Sequence, residues 1–535
     1  MPPHGPILLR NARVLDGTGG PARAADVLLD GDRIAGVSVG GGAEPAPDAH
    51  QTFDLAGLIL APGFIDLHTH SDVALLRDGR AESQLLQGVT TEVVGNCGHS
   101  CAPLVRDADA QRLTFGPRVD ATPCWRSFGE YLAALEAAQL AVNVAALVGH
   151  AALRLAVMQD PLARAREEEI DAMTALLDRS LEEGAIGFSS GLEYVPGICA
   201  DTRELSALAR EAARHGALYT THVRNRDVQF ELGIGEALST ARAAGARLQI
   251  SHIQPKFGAP AHAAEHMAAM IEWARADVDA GCDVIPHTWG PTVVASVLPA
   301  WVHEGGVQPM LARLADPAAR ERIKARPNPI WRLVAEGRWE DIVLLASEAN
   351  DRECGRTIAE IAASRAVAPF DAVLDLLREE GEGCAGLTWA GRNFTDHDID
   401  LLLQAPQAGV ISDAITLTRD GPLGRLRWSP SAYGWTARFL QRYVRERRAL
   451  DLPEAVRRLT GLPAQRLGLA DRGEIRVDAR ADLVAFDARA IADHSTLAAP
   501  NVPPSGIAHV IVNGDFAVRD GRLTGARAGR VLRGH

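Results

Sequence analysis

Two histidines one residue apart, His68 and His70, close the stretch Gly63-Phe64-Ile65-Asp66-Leu67-His68-Thr69-His70, after an apolar run through Leu58, Ile59 and Leu60. Along a strand, side chains at i and i+2 leave on the same side, so both imidazoles point one way. Packing gives no reason for two polar rings there, whereas a strand end at a barrel mouth is a place to bind metal. The competing reading is a solvated loop, and the pair alone does not separate the two. Further donors stand at the ends of other apolar stretches: Cys97 in Gly95-Asn96-Cys97-Gly98, then His222, His252 and Asp413. Thiolate, imidazole and carboxylate together are the donor set that zinc takes. Any one of these is more often a core or surface residue. Their convergence on one rim is what makes a site of them. The chemistry available to such a site is hydrolysis: a Lewis acid polarises an amide carbonyl and acidifies water, and a carboxylate takes that water's proton and returns it to the leaving amine.

The elements that must position these residues alternate between strand and helix. Apolar runs predict strands near 59–67, 91–95, 143–148, 185–190, 217–222, 247–252, 283–287 and 409–413. Between 160 and 184 a helix is expected with Ile170, Met173, Leu176, Leu177 and Leu181 on one face and Gly184 past its end. Thr202 is expected to cap the next one. Eight parallel strands with crossover helices predict an α/β fold, a (β/α)8 TIM-type barrel over residues 61–469 with its chemistry at the C-terminal strand ends. The interval of about 290–383, after the seventh strand, is too long for a loop and predicts an inserted helical subdomain. Both chain ends read as short strands, among them a hairpin at Asp30-Gly31 and runs at Gly473–Val477, Ala481–Phe486 and Val510–Asp515. Neither end can form a domain alone, so residues 1–60 and 470–535 are expected to build one small β-sandwich.

Composition narrows the function classes. Hydrophobic content of 47% and charged content of 23% are those of a globular protein, and a net charge of −13 argues against nucleic acid as a partner. The seven cysteines (Cys97, Cys101, Cys124, Cys199, Cys282, Cys354 and Cys384) are odd in number and scattered, which suits a reducing compartment. Met1–Arg10 has no basic segment leading into an apolar core, and the apolar region Leu140–Met158 is broken by Asn143, Gly149, His150 and Arg154. A cytoplasmic enzyme acting on a small-molecule amide, without membrane contact, is the expectation. The sequence says nothing of the oligomeric state.

Several segments carry a family likeness: Gly63–His70, Gly88-Val89-Thr90-Thr91 with Gly95–Gly98, Leu147-Val148-Gly149-His150, Gly191-Leu192-Glu193-Tyr194-Val195-Pro196-Gly197, Thr221-His222-Val223-Arg224, Ser251-His252 and Ser412-Asp413. This set resembles the D-aminoacylase (N-acyl-D-amino-acid deacylase) branch of the amidohydrolase superfamily, over nearly the whole chain. The resemblance implies that Cys97, His222 and His252 hold a tight zinc ion, that His68 and His70 form a second, weaker site with Asp413, and that Asp413 is also the general base. It implies that Tyr194 contacts the scissile carbonyl as it becomes an oxyanion, with packing in the Pro-Gly turn as the alternative role. His150 is either a residue supporting the ligands or one hydrogen-bonded near the third strand. Amidohydrolases with a lysine-bridged metal pair carry that lysine on the fourth strand. Here the two lysines are Lys256 and Lys324, neither on that strand, which weighs against cyclic amide or imide hydrolysis.

Departures from the family pattern concern the substrate. Members of the branch grip a free α-carboxylate with a lysine two residues after the sixth-strand histidine, a tyrosine on the seventh strand and an arginine after the eighth. The corresponding positions here are Gln254, His287 and Ser431. A carboxylate entering a dry pocket without its cationic partners loses much of its compensation. The expectation is an altered carboxylate site, hence an amide lacking that group, with His287 and Trp289 walling an aromatic or apolar pocket. Arg224, Arg226 or Lys256 could instead restore an anion site from a new direction and keep the ordinary N-acyl-D-amino acid substrate. An inactive binding homologue is the remaining alternative.

Overall fold

The computed structural model describes residues 5–40, 51–104, 125–328 and 331–534. Cys124 lies outside them.

Eight parallel strands run in order round one sheet: β1 (Phe64–Asp66), β2 (Val89–Val94), β3 (Asn143–Gly149), β4 (Gly187–Gly191), β5 (Leu218–His222), β6 (Arg247–Ile250), β7 (Ala280–Val284) and β8 (Ala408–Val410). Nearly every residue in them is buried, as a parallel sheet covered by helices requires. The barrel closes just beyond β1 and β8, where the Asp413 amide donates to the His68 carbonyl (3.1 Å) and the His70 amide to the Ala414 carbonyl (2.8 Å). Closure therefore falls on the residues of the predicted site.

The first strand is shorter than its apolar run suggests. Ile59–Pro62 pairs with the terminal strands Leu483–Phe486 and Ile7–Val14, and only Phe64–Asp66 joins the barrel. The break is Gly63, where a Cβ would stand 2.2 Å from the Thr90 hydroxyl, so only glycine lets the chain pass from one sheet into the other.

The two chain ends pair into a single nine-stranded sheet around its own core, which includes Leu9, Val27, Leu29, Leu483 and Ile511. Within it Arg23–Asp30 and Arg33–Val39 form the hairpin expected at Asp30-Gly31, with Gly31 at φ 58°. Gly473–Val477 is not a strand; Ile475 is buried there and its amide donates to the Asp16 carbonyl without a continuous ladder.

Helix α1 (Glu167–Glu182) buries Ile170, Met173, Leu176, Leu177 and Leu181 on one face. Helix α2 (Thr202–Arg214) starts one residue earlier than expected, since Asp201 rather than Thr202 caps it by accepting from the Glu204 amide. After β7 the chain leaves the barrel. The insertion holds helices α3 (Val307–Ala315), α4 (Pro317–Ala325), α5 (Ile358–Arg365) and α6 (Pro369–Glu380), but also a three-stranded antiparallel sheet of Gly290–Val293, Thr388–Gly391 and Ile342–Ala346. The sheet adds to the helical insertion that was expected, and its outer members lie about fifty residues apart in sequence. A separate core of Met310, Leu314, Ile361, Leu374, Leu377 and Trp389 holds the insertion together. Among the described residues no helix is long and apolar enough to cross a membrane.

Candidate active site

The six residues singled out as ligands all lie at the C-terminal end of the barrel. Cys97 is the hub: its Sγ stands 3.3 Å from His68 Nε2, 3.4 Å from His252 Nε2 and 3.6 Å from His222 Nδ1. Asp413 Oδ1 lies 3.2 Å from His70 Nε2 and 3.5 Å from His68 Nε2. The donors thus form two overlapping groups, His68 with Cys97 and His252, and His68 with His70 and Asp413. His68 belongs to both, a sharing that strand alternation alone does not reveal.

Local backbone explains why the donors meet. Cys97, His252 and Asp413 adopt positive φ (52°, 34° and 49°), a region that costs free energy in non-glycine residues and persists where the surroundings over-determine it. At Cys97 the surroundings are dense. Ser189 Oγ accepts from the Gly98 amide (3.0 Å) and donates to the Gly95 carbonyl, while Asn96 donates to the Leu67 and Val93 carbonyls. A Cβ on Gly191 would stand 2.0 Å from the Cys97 carbonyl, so β4 can approach the turn only as glycine. Beneath His252, Asp283 accepts from its amide and from Gln249 Nε2 (2.9 Å). Beneath His68, Asp66 accepts from the His68 and Ser412 amides (3.3 and 3.2 Å), tying the first strand to the eighth. Trp428 Nε1 donates to the Asp413 carbonyl (3.0 Å).

Burial sets the protonation states. It pushes His68 down to about 3, His222 down to about 4 and His252 well below its usual value, so the imidazoles are neutral and have lone pairs to give. Burial also drives the Cys97 thiol well up, with Asp413 adding to the effect. A buried thiol among neutral imidazoles is an unsatisfied arrangement without a cation, and a zinc ion that takes its proton's place fits this donor set. For Asp413 burial acts upward, but the hydrogen bond from His70 and the fields of His68 and His70 outweigh it and leave the carboxyl below its ordinary range.

One supporting residue was not singled out by sequence reasoning. Glu193, on the turn after β4, takes His222 Nε2 at 2.7 Å and Lys256 Nζ at 2.9 and 3.1 Å. A carboxylate on the far nitrogen fixes the tautomer that presents Nδ1 to Cys97. Burial acts upward on Glu193, and Lys256 and His222 bring it down to about 2. Its place inside the Gly191–Gly197 motif was the available signal.

A cavity opens over the donors, walled by Tyr194, Arg226 and Lys256 from the barrel loops, by Thr292 and Trp331 from the insertion, and by Phe394, which packs with Leu67, Ile285 and Ile411 inside the barrel. Tyr194 packs edge-on against His222 with ring centroids 4.7 Å apart, and its hydroxyl accepts from Thr292 Oγ1 at 3.3 Å. An adjoining apolar cavity shares Tyr194 and Ser296 with the first and runs under the insertion past Val293, Leu298 and Met310.

The chain matches the amidohydrolase family over residues 51–518. It is 36% identical to the N-acyl-D-glutamate deacylase of Alcaligenes xylosoxydans xylosoxydans, over 98% of this chain and 96% of that one. The chain belongs to the amidohydrolase family, in its D-aminoacylase branch. Among solved structures, the N-acyl-D-glutamate deacylase of Bordetella bronchiseptica, complexed with zinc and a phosphonate mimic of the tetrahedral intermediate, superposes with a TM-score of 0.82 at 32% identity, covering 98% and 99% of the two chains. A D-aminoacylase whose binuclear metal centre shows one-metal activation and second-metal attenuation gives 0.80 at 32% identity, with the same coverage. This amidohydrolase is a metal-dependent hydrolase of the D-aminoacylase type, acting on carbon–nitrogen bonds of linear amides.

The expected substrate contacts fare differently from the donors. Gln254 is spent on the residue that follows β7, its amide donating to the Ile285 carbonyl (2.6 Å) and accepting from the Ile285 amide (3.2 Å). His287 is buried, Trp289 stacks under Arg392 (4.9 Å), and Ser431 pairs with Ser429 (2.5 Å); none of the four lines the cavity. Arg224 is held by Glu236 and by the Ile198 and Ala200 carbonyls, also outside it. His150 supports no ligand directly: its Nε2 meets Glu204 at 2.7 Å in a buried group that includes Arg154. Gln254, Ser431, Arg224 and His150 have nearer backbone, hydroxyl or ionic partners than the site, whereas His287 is buried away from the cavity with its Nε2 unpaired among the described residues.

Proposed function

We propose that this amidohydrolase cleaves a linear N-acyl amide, with Cys97, His222 and His252 holding one zinc ion tightly, His68 and His70 forming a weaker second site with Asp413, and Asp413 serving as general base. The observation that carries this is the buried Cys97 thiol within 3.6 Å of three imidazoles, beside a carboxylate that opens on a cavity. A bound zinc ion supplies Lewis acidity toward the amide carbonyl and lowers the pKa of water. Asp413, ionised at neutral pH, can accept the water's proton and pass it to the departing nitrogen. Burial keeps the Tyr194 phenol protonated, so its O–H can donate to the carbonyl oxygen as negative charge grows there. The apolar cavity past Val293, Leu298 and Met310 suits an acyl or side-chain group.

The substrate named for two of the relatives is N-acyl-D-glutamate. In this chain Gln254, His287 and Ser431 stand where the branch grips the α-carboxylate, and all three are turned to other partners or away from the cavity, which supports an altered grip. The test is zinc-loaded enzyme against N-acetyl-D-amino acids, their carboxamides, and the cyclic amides hydantoin and dihydrouracil. Hydrolysis of linear substrates, lost on chelation and regained with zinc, is expected. Turnover of the cyclic amides alone would point to the other hydrolase class, and no turnover at all to a binding homologue.

A further inference from the structure

Three cationic side chains lie on the loops that follow β5 and β6, and the structure tells them apart. Arg224 is neutralised by Glu236 at 3.0 Å and saturated by two carbonyls outside the cavity. Lys256 lines the cavity but is neutralised by both oxygens of Glu193. Arg226 also lines the cavity, is only 5% exposed, and has no carboxylate partner among the described residues. Its Nη1 donates to the His252 carbonyl, its guanidinium carbon lies 6.0 Å from the Phe394 ring centroid, and its buried Nε has no hydrogen-bond partner. Neighbouring Asp227 does not serve it, being turned to the Gln229 amide.

A buried guanidinium without a counter-ion is costly, and proteins keep one where an anion will arrive. The other cation lining the cavity, Lys256, is held by Glu193, which leaves Arg226 as the lining cation with no ion pair to a carboxylate among the described residues. We infer that Arg226 holds a carboxylate of the substrate, taking over the task from the positions now occupied by Gln254, His287 and Ser431. This rests on the amide-hydrolase reading above, and it replaces the expectation of a carboxylate-free substrate. The carboxylate is either the α-carboxylate of an N-acyl amino acid or one on its side chain.

Two substrate pairs separate those sources: N-acetyl-D-leucine against N-acetyl-D-leucinamide, and N-acetyl-D-glutamate against N-acetyl-D-glutamine. A charge-assisted pair predicts that wild-type enzyme favours the acid of at least one pair by about 10- to 100-fold in kcat/KM. Arg226→Gln brings that ratio close to one, mainly through KM for the acid, with zinc content retained; Arg226→Lys gives an intermediate ratio. Inhibition of the wild-type enzyme by D-leucine and D-leucinamide supplies a readout that needs no variant, the acid binding more tightly if the α-carboxylate is the one held. Equal treatment of acid and amide in both pairs, or an acid preference that survives in Arg226→Gln, overturns the inference. Hydrolysis of none of the four takes down the amide-hydrolase reading and this inference with it.

Discussion

Cys97, His252 and Asp413 sit on left-handed turns fixed by buried partners, whereas Thr292 and Trp331, facing them across the cavity, come from an insertion with its own core. The donor rim has little freedom: Gly191 and Ser189 pack against the Cys97 turn, and Asp66 and Asp283 hold the backbone under two of the histidines. Across the cavity, the insertion's separate core lets its contacts change without disturbing the barrel strands. One scaffold can therefore keep its hydrolytic chemistry while its substrate wall varies.

This contrast can be broken most sharply at Asp413. Asp413→Asn should lower kcat by about 10²- to 10⁴-fold while zinc stays bound through Cys97, His222 and His252. Metal analysis beside the kinetics checks it, since loss of zinc along with activity would mean that Asp413 holds the ion rather than the proton. On the wall, Trp331→Ala should act on binding, raising KM roughly 10-fold with kcat nearly kept, the scale of one large apolar contact. A fall in kcat with KM unchanged would place the insertion in the chemistry.

The smallest effect is expected where neither region is touched. Asp396 opens the helix Asp396–Leu403 that returns from the insertion, and pairs with Arg442 and Tyr443. Its bond from Arg442 brings its carboxyl down to about 2. A depressed carboxylate contributes stability that is present above the unfolded value near 4 and lost as pH falls through the folded one. Asp396→Asn should therefore cost about 1–2 kcal/mol at pH 7 in urea unfolding, with the difference from wild type closing toward pH 2 and the kinetics unchanged.

What the sequence could show follows the same division. His68, His70, Cys97, His222, His252 and Asp413 end apolar runs, so strand periodicity placed them on one rim without further information. Glu193 escaped because its partners, His222 and Lys256, lie 29 and 63 residues away and only the folded barrel joins them. Gln254, His287, Trp289 and Ser431 were expected near the substrate from their positions alone. Gln254, Trp289 and Ser431 instead follow local partners, such as the Ile285 backbone for Gln254, that no spacing rule exposes, and His287 is buried outside the cavity. The Gly63 break was hidden because Ile59–Leu67 is apolar on both sides of it, and the insertion sheet because its strands are short and far apart in sequence.

In the proposed centre Cys97 anchors the essential ion while His68, although 3.3 Å from Cys97, chiefly serves the group around Asp413. Zinc per chain, measured on purified Cys97→Ala and His68→Asn after identical dialysis, tests this directly. An empty tight site is expected in Cys97→Ala, and most of the zinc retained in His68→Asn. Equal loss in the two variants would contradict it.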